Sequence, residues 1–238
     1  MNTILKRIAL ISLMFCQTAY ANLLISPTQM YLNEKGRQRS ATVVMEAQNI
    51  ASQKIFEMYA YKWIQNERGE DVLELDNNIL LNPKNFVIKP NSKQIVRVGF
   101  SQPLNTMDLS QEKTWRIVFK EVESVSEENT LQFLFNISVP LFVGKQAPIE
   151  VLATSIYRDN RLFINIQNNA KSHLQINSIK IIDKHKKEVA SSNEMKYLLL
   201  QQKYSFDMGN VKLGNIQDYT LKLITDKSEQ EIELKMKG

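Results

Sequence analysis

The sequence predicts an all-β protein made of two sandwich domains, and three observations carry that expectation. The chain is a succession of short runs rich in β-branched and aromatic residues, separated by polar turn clusters. Long amphipathic stripes with helix caps are absent. Gly144-Lys145-Gln146-Ala147-Pro148 sets glycine and proline in a polar stretch directly after the longest apolar run, which marks a domain boundary. The expected division is 22–146 and 147–238, each of ordinary domain size.

Residues 1–21 stand apart from both. Lys6 and Arg7 precede the apolar run Ile8 to Phe15, and Ala19-Tyr20-Ala21 gives the small-x-small pattern of a signal-peptidase site. The run is too short to span a bilayer, so the segment reads as a secretory signal peptide and the protein as periplasmic, without membrane insertion. Cys16 raises lipoprotein processing as an alternative, which bulky Phe15 disfavours. Removal of 1–21 leaves 217 residues with no cysteine, so the mature chain relies on core burial rather than disulfides. Its 28 basic and 25 acidic residues give a mild +3 with scattered lysines, which calls for no nucleic acid.

The strand candidates follow in order. Ala41 to Met45 comes first, then Ile55 to Ile64, which ends at the turn-like Asn66-Glu67-Arg68-Gly69. Gln94 to Phe100, Thr114 to Val122 and Leu131 to Val143 complete the first domain; Arg161 to Gln167, Leu174 to Ile182 and Tyr219 to Thr225 lie in the second. Residues 193–203 fit either a helical turn or a strand followed by a loop.

The run Leu131 to Val143 is the most informative. Leu131, Phe133, Phe135, Ile137, Val139, Leu141 and Val143 fall on one face, while Gln132, Asn136 and Ser138 fall on the other, interrupted by Leu134. Such a run is long for a sandwich strand, and as an exposed edge it would be an aggregation hazard. It is either a central core strand or an edge that pairs with another protein's incomplete sheet.

Three motifs carry a family resemblance: Ile88-Lys89-Pro90 through Val98, Glu112-Lys113-Thr114-Trp115-Arg116-Ile117-Val118-Phe119-Lys120-Glu121-Val122, and the long run ending in Val139-Pro140-Leu141-Phe142. In this order behind a signal peptide they resemble the PapD-like periplasmic pilus and fimbrial assembly chaperones, most closely the archaic or alternative chaperone-usher branches. The resemblance implies two immunoglobulin-like domains in an L shape. It also implies a chaperone that binds pilus subunits by donor-strand complementation and delivers them to an outer-membrane usher. Strand addition of this kind is a recognised mode, with backbone bonds giving affinity and alternate side chains filling pockets. Leu131, Phe133, Phe135 and Ile137 would then be the donated residues, worth about 2 kcal/mol each before association costs. An apolar edge of this sort can also be covered by self-association of the free protein.

The resemblance further implies a basic anchor for the subunit's terminal carboxylate. The positions that carry arginine and lysine in the better-studied branch correspond here to Gln29 and Pro140, so the usual pair is missing. Arg116 is the expected replacement, since its planar fork suits a carboxylate, with Lys120 on the same face as a second candidate. The plainer alternative for Arg116 is a solvated side chain or one paired with an acid such as Glu121. Arg97, Glu112 and Asp218 match family positions for an ion-pair network between the domains.

Catalytic readings find little support. With no mature cysteine, neither a Cys–His pair nor a thiolate zinc site can be built. No Gly-x-Ser-x-Gly elbow or glycine-rich phosphate loop is present, and no cofactor is expected. His173 and His185 are expected as surface residues of polar turns. The competing function is a structural or adhesive secreted protein such as a pilus component; a glycan-binding module would want exposed tryptophans, and Trp63 and Trp115 both fall in strand candidates.

Overall fold

The computed structural model describes residues 22–33, 39–123 and 133–236. Every regular element longer than a single helical turn is a strand, as the alternation of apolar and polar residues requires. The first ten are β1 (Asn22–Ser26), β2 (Met30–Leu32), β3 (Ser40–Gln48), β4 (Lys54–Gln65), β5 (Asp71–Leu75), β6 (Ile79–Asn82), β7 (Asn85–Ile88), β8 (Lys93–Phe100), β9 (Lys113–Val122) and β10 (Asn136–Val143). They form two facing sheets, one ordered β1-β3-β8-β6 and the other β2-β10-β9-β4-β5, with β7 also paired to β4. Inward residues of both sheets close one core: Val43, Met45, Phe56, Met58, Val96, Val98, Ile117, Phe119 and Leu141 are buried in it.

The second sandwich comprises β11 (Val151–Arg158), β12 (Arg161–Asn168), β13 (Leu174–Asp183), β14 (Glu188–Ser192), β15 (Lys196–Leu198), β16 (Lys203–Asp207), β17 (Tyr219–Thr225) and β18 (Ser228–Lys235). Its sheets run β11-β12-β16 and β14-β13-β17-β18, with β15 on β13. A separate core contains Leu162, Ile164, Ile166, Ile176, Ile179, Ile181, Phe206, Leu221 and Leu223. Residues 196–198 are therefore strand, which settles the ambiguous stretch in favour of strand then loop.

A third, small cluster joins the two. Trp63 from β4 and Phe142 from β10 point out of the first core and bury themselves against Leu199 and Tyr197 of the second domain. Local geometry also fixes this junction. Gly69 sits in the β4–β5 turn at φ +75°, and a Cβ there would lie 2.5 Å from the main-chain oxygen of Lys203, on β16. Only glycine permits both that backbone region and so close an approach.

The long apolar run differs from its expected extent. The strand begins at Asn136 rather than Leu131; residues 133–135 lead into it without regular pairing, and Leu131 lies outside the described residues. The reason is local. β10 pairs antiparallel with β9 from Val143↔Lys113 to Asn136↔Lys120, and one step further the Phe135 amide turns to a side chain instead of continuing the ladder.

Candidate functional site

Strand β10 has different neighbours along its length. Parallel β2 covers one side of it at Leu141, Phe142 and Val143. Among the described residues, nothing pairs with that side from 136 to 140, so the strand presents an open edge there. Pro140 stands where the edge opens, a position at which its missing N–H costs no ladder bond. The inward face changes in step. Val139, Leu141 and Val143 are buried in the protein's own core and Ile137 is partly buried against it. Phe135 is 40% exposed and Phe133 83% exposed. One alternating face thus begins in the core and ends in solvent.

Glu121 marks the transition. Its parity is that of Trp115, Ile117 and Phe119, so its carboxylate lies on the inward face at the end of the core, 7% exposed. Oε1 pairs with Lys54 Nζ at 2.6 Å, Oε2 accepts the Phe135 N–H at 2.9 Å, and the Glu121 N–H donates to the Phe135 carbonyl at 2.8 Å. Lys54 also sits 5.2 Å from the centroid of the Phe135 ring. The suggested Arg116–Glu121 pair is therefore excluded, because the two residues occupy opposite faces of β9.

Arg116 lies on the outward face, directly across from Pro140 in the β9–β10 register. Its guanidinium stacks 3.6 Å over the Trp63 ring, with the Tyr197 ring centroid at 5.1 Å. The carboxylate in ion-pair range is Asp71, at the outer limit of 4.0 Å. Burial lowers its pKa from the ordinary arginine value, with Asp71 opposing that shift. A planar cation held by ring stacking keeps its edge available to a carboxylate. Lys120 is exposed on the same face, about 13 Å further along the strand at two residue pairs of pleat.

Gln29 has another task than anchoring. Its Nε2 donates to Tyr197 Oη at 2.8 Å and to Gln175 Oε1 at 2.5 Å, while its Oε1 accepts from Tyr31 Oη at 2.7 Å. It is a strut from the β1–β2 connection to the second domain.

The expected ion-pair network between the domains is corrected in two of its three members. Arg97 alternates with the inward Val96 and Val98, so it points into solvent from β8, opposite Thr42 and Asn82. Asp218 is a surface residue 3.7 Å from Lys184 of its own domain. Glu112 alone crosses the junction, and its partner is His173. The surface placement expected of that histidine is also corrected: it is fully buried, whereas His185 is exposed.

His173 Nδ1 lies 2.8 Å from Glu112 Oε2 and Nε2 lies 3.2 Å from Asp226 Oδ2. The main-chain N–H of His173 donates to Glu112 as well, at 2.7 Å, and Gln146 Nε2 donates to the same carboxylate. The imidazole stacks on Phe142 with ring centroids 3.4 Å apart. Burial would push this histidine down, but its bonds to Asp226 and Glu112 outweigh that and raise its pKa. Only the imidazolium can donate to both carboxylates at once. Sequence separations of 61 and 53 residues hid this cluster; no local motif signals it.

Among the described residues, no group of three or more His, Cys, Asp and Glu side chains is placed to hold a metal ion, and no helix is long and apolar enough to cross a membrane.

The comparisons with known proteins agree with this geometry. No curated protein sequence matches the chain. Among solved structures, a chain of the CsuC–CsuE chaperone–tip adhesion subunit pre-assembly complex, from archaic chaperone-usher Csu pili of Acinetobacter baumannii, is 13% identical with a TM-score of 0.66, over 91% of this chain and 98% of that one. The class 5 fimbriae chaperone CfaA is 15% identical with a TM-score of 0.56, over 91% of this chain and all of the other (100%). A chain of the Salmonella enterica SafA pilin–SafB chaperone complex is 13% identical with a TM-score of 0.60, over 91% and 97%. At such identities these likenesses show the fold. The profile of the pili and flagellar-assembly chaperone, PapD N-terminal domain, matches residues 22–146. With more than half of its length matched by that profile, the chain belongs to the PapD-like family of pilus assembly chaperones.

Proposed function

We propose that this chaperone acts in the periplasm, binds pilus or fimbrial subunits by lending them the edge of β10 and the segment before it, and passes them to an outer-membrane usher. The observation that carries the reading is the change of surroundings along one face. Val139, Leu141 and Val143 are buried within the chaperone, whereas Phe135 and Phe133 continue the same alternation into solvent beside an unpaired strand edge. A subunit lacking a strand would pair with that edge and bury the two phenylalanines, gaining about 2 kcal/mol for each. Strand exchange at the usher would then release the subunit without a nucleotide. Export is inferred from the signal-peptide pattern of 1–21, which lies outside the described residues.

Arg116 is the proposed anchor for the subunit's terminal carboxylate. The better-studied branch carries a lysine where this chain has Pro140; Arg116 is the cross-strand neighbour of Pro140, so the charge is displaced by one strand rather than lost. Lys120 is better suited to a second contact with the subunit than to sharing the same carboxylate.

The reading is tested by co-producing the mature protein with the subunits encoded beside it and isolating periplasmic complexes. A one-to-one complex is expected, and Phe133→Asp combined with Phe135→Asp abolishes it while the chaperone stays folded. Subunits that accumulate folded without the chaperone would overturn the reading. Arg116→Ala is expected to weaken the complex by about 2 kcal/mol or more, the usual cost of removing one partner of a desolvated charge pair; wild-type affinity would remove Arg116 from the site.

A further inference from the structure

The place where β10 stops being the chaperone's own strand is set by one side chain. In a regular antiparallel ladder, the residue pair at this step exchanges two main-chain bonds. Here Phe135 faces Glu121, and only one of the two is formed: the Glu121 N–H donates to the Phe135 carbonyl. The other is replaced, because the Phe135 N–H turns to the carboxylate of the same glutamate. Lys54, on the next strand, fixes that carboxylate from the opposite side and lies over the Phe135 ring. A buried acid at the end of the core face has no packing advantage over an apolar residue. Its position makes sense if it has to hold the chain.

We propose that Glu121 is a positioning residue for strand donation: it clamps the main chain at Phe135 and so fixes the phase in which Phe133 and Phe135 are offered. The inference rests on the donor-strand reading above. Phase matters because side chains alternate with a period of two, and a slip of one residue would offer Leu134 and Asn136 in place of Phe133 and Phe135. A charge-assisted bond to a buried carboxylate holds the amide more firmly than a neutral one. The clamp is also local. It leaves Phe133 and Leu134, which lead into the strand without regular pairing, to follow the subunit.

The test compares Glu121→Ala, Glu121→Gln and Lys54→Met with the wild type in the full mature chain. Amide hydrogen exchange is read at Phe135, and capture is read as the rate at which the neighbouring pilus subunit, diluted from denaturant, is bound. Glu121→Ala is expected to speed exchange at Phe135 and to slow capture, each by about tenfold, the scale of one lost charge-assisted bond. Glu121→Gln keeps an acceptor oxygen and restores both to within about threefold, and Lys54→Met, which leaves the acceptor in place, does the same. A merely structural glutamate would not be rescued in this pattern. If Glu121→Ala captures at the wild-type rate while the Phe133→Asp, Phe135→Asp pair abolishes capture, the clamp is wrong and strand donation stands. If that pair also captures normally, the donor-strand reading itself has failed. A poorly folded Glu121→Ala leaves the decision to Glu121→Gln and Lys54→Met, whose failure to keep Phe135 exchange slow overturns the clamp.

Discussion

The junction between the two sandwiches and the segment leading into β10 treat burial in opposite ways. At the junction a charged cluster is largely withdrawn from water: Glu112 and Asp226 both bond His173 beneath Phe142, and Gln29 ties Tyr31 to Tyr197 beside them. At residues 133–135 large apolar side chains are left in water. The first arrangement gives up desolvation energy to fix one geometry, and the second withholds burial energy until a partner arrives. Rigidity in one region is what makes exposure in the other usable, since an edge can meet a partner in one way only if the domains around it hold still.

Breaking the junction should therefore be the most costly change. Glu112→Ala removes the first-domain carboxylate from a fully buried histidine and strands Gln146 as well. Loss of one partner from a buried ionic pair costs about 3–5 kcal/mol, which denaturant unfolding would register as a lower midpoint. The Phe133→Asp, Phe135→Asp pair should move the same midpoint by less than about 0.5 kcal/mol, since exposed positions rarely contribute more. Equal losses in both would erase the distinction between the regions.

Gly69 offers a finer cut. Alanine there meets both the left-handed backbone and the Lys203 carbonyl oxygen, so the β4–β5 turn must retreat from the second domain. Gly209 has a similar φ, +83°, but a Cβ there meets nothing within 4 Å. Gly209→Ala should cost about 1 kcal/mol from backbone conformation alone, and Gly69→Ala about 2–3 kcal/mol once the clash is added. The excess at Gly69, read by thermal unfolding of the two variants, measures how tightly the domains are held.

The sequence made some of this legible and not the rest, for physical reasons. Period-two alternation is a local property, so the strands, the inward face of 137–143 and the outward face carrying Arg116 and Lys120 could be read directly. The same rule applied to β8 places Arg97 in solvent between Val96 and Val98, and it outweighs the motif match that put this residue in an ion-pair network. Applied to β9, it puts Glu121 on the core face, a signal available in the sequence but easily passed over. The end of β10 could not be read, since an apolar run does not reveal where a side-chain carboxylate interrupts the ladder. His173 was illegible for a different reason. A histidine in a polar turn next to Ser172 looks solvated, and its burial depends on Phe142 and on two acids that only the docking of the domains brings near.

That docking should carry a modest dependence on pH whose sign follows from the raised pKa of His173. Burial works against the charge, but the bonds to Asp226 and Glu112 prevail, so the folded protein holds this proton more tightly than the unfolded chain does. The stabilisation is then fully present below the unfolded value of about 6.5 and is lost as pH rises through the higher folded value. The groups facing the ring are Glu112, Asp226, Tyr31 and Tyr197, with Lys227 nearby on Ser172 Oγ. None of the tyrosines complicates the neutral range, since burial, their largest influence, raises both Tyr31 and Tyr197 above their ordinary value. Between the two histidine values, one bound proton changes stability by at most about 1.4 kcal/mol per pH unit. Wild type and His173→Gln, compared by denaturant unfolding from about pH 6 upward, should differ most at the acid end and converge as the imidazolium is lost. A gap that widens with pH would mean that His173 is held neutral between its two acids, and that the junction is fixed by packing on Phe142 rather than by charge.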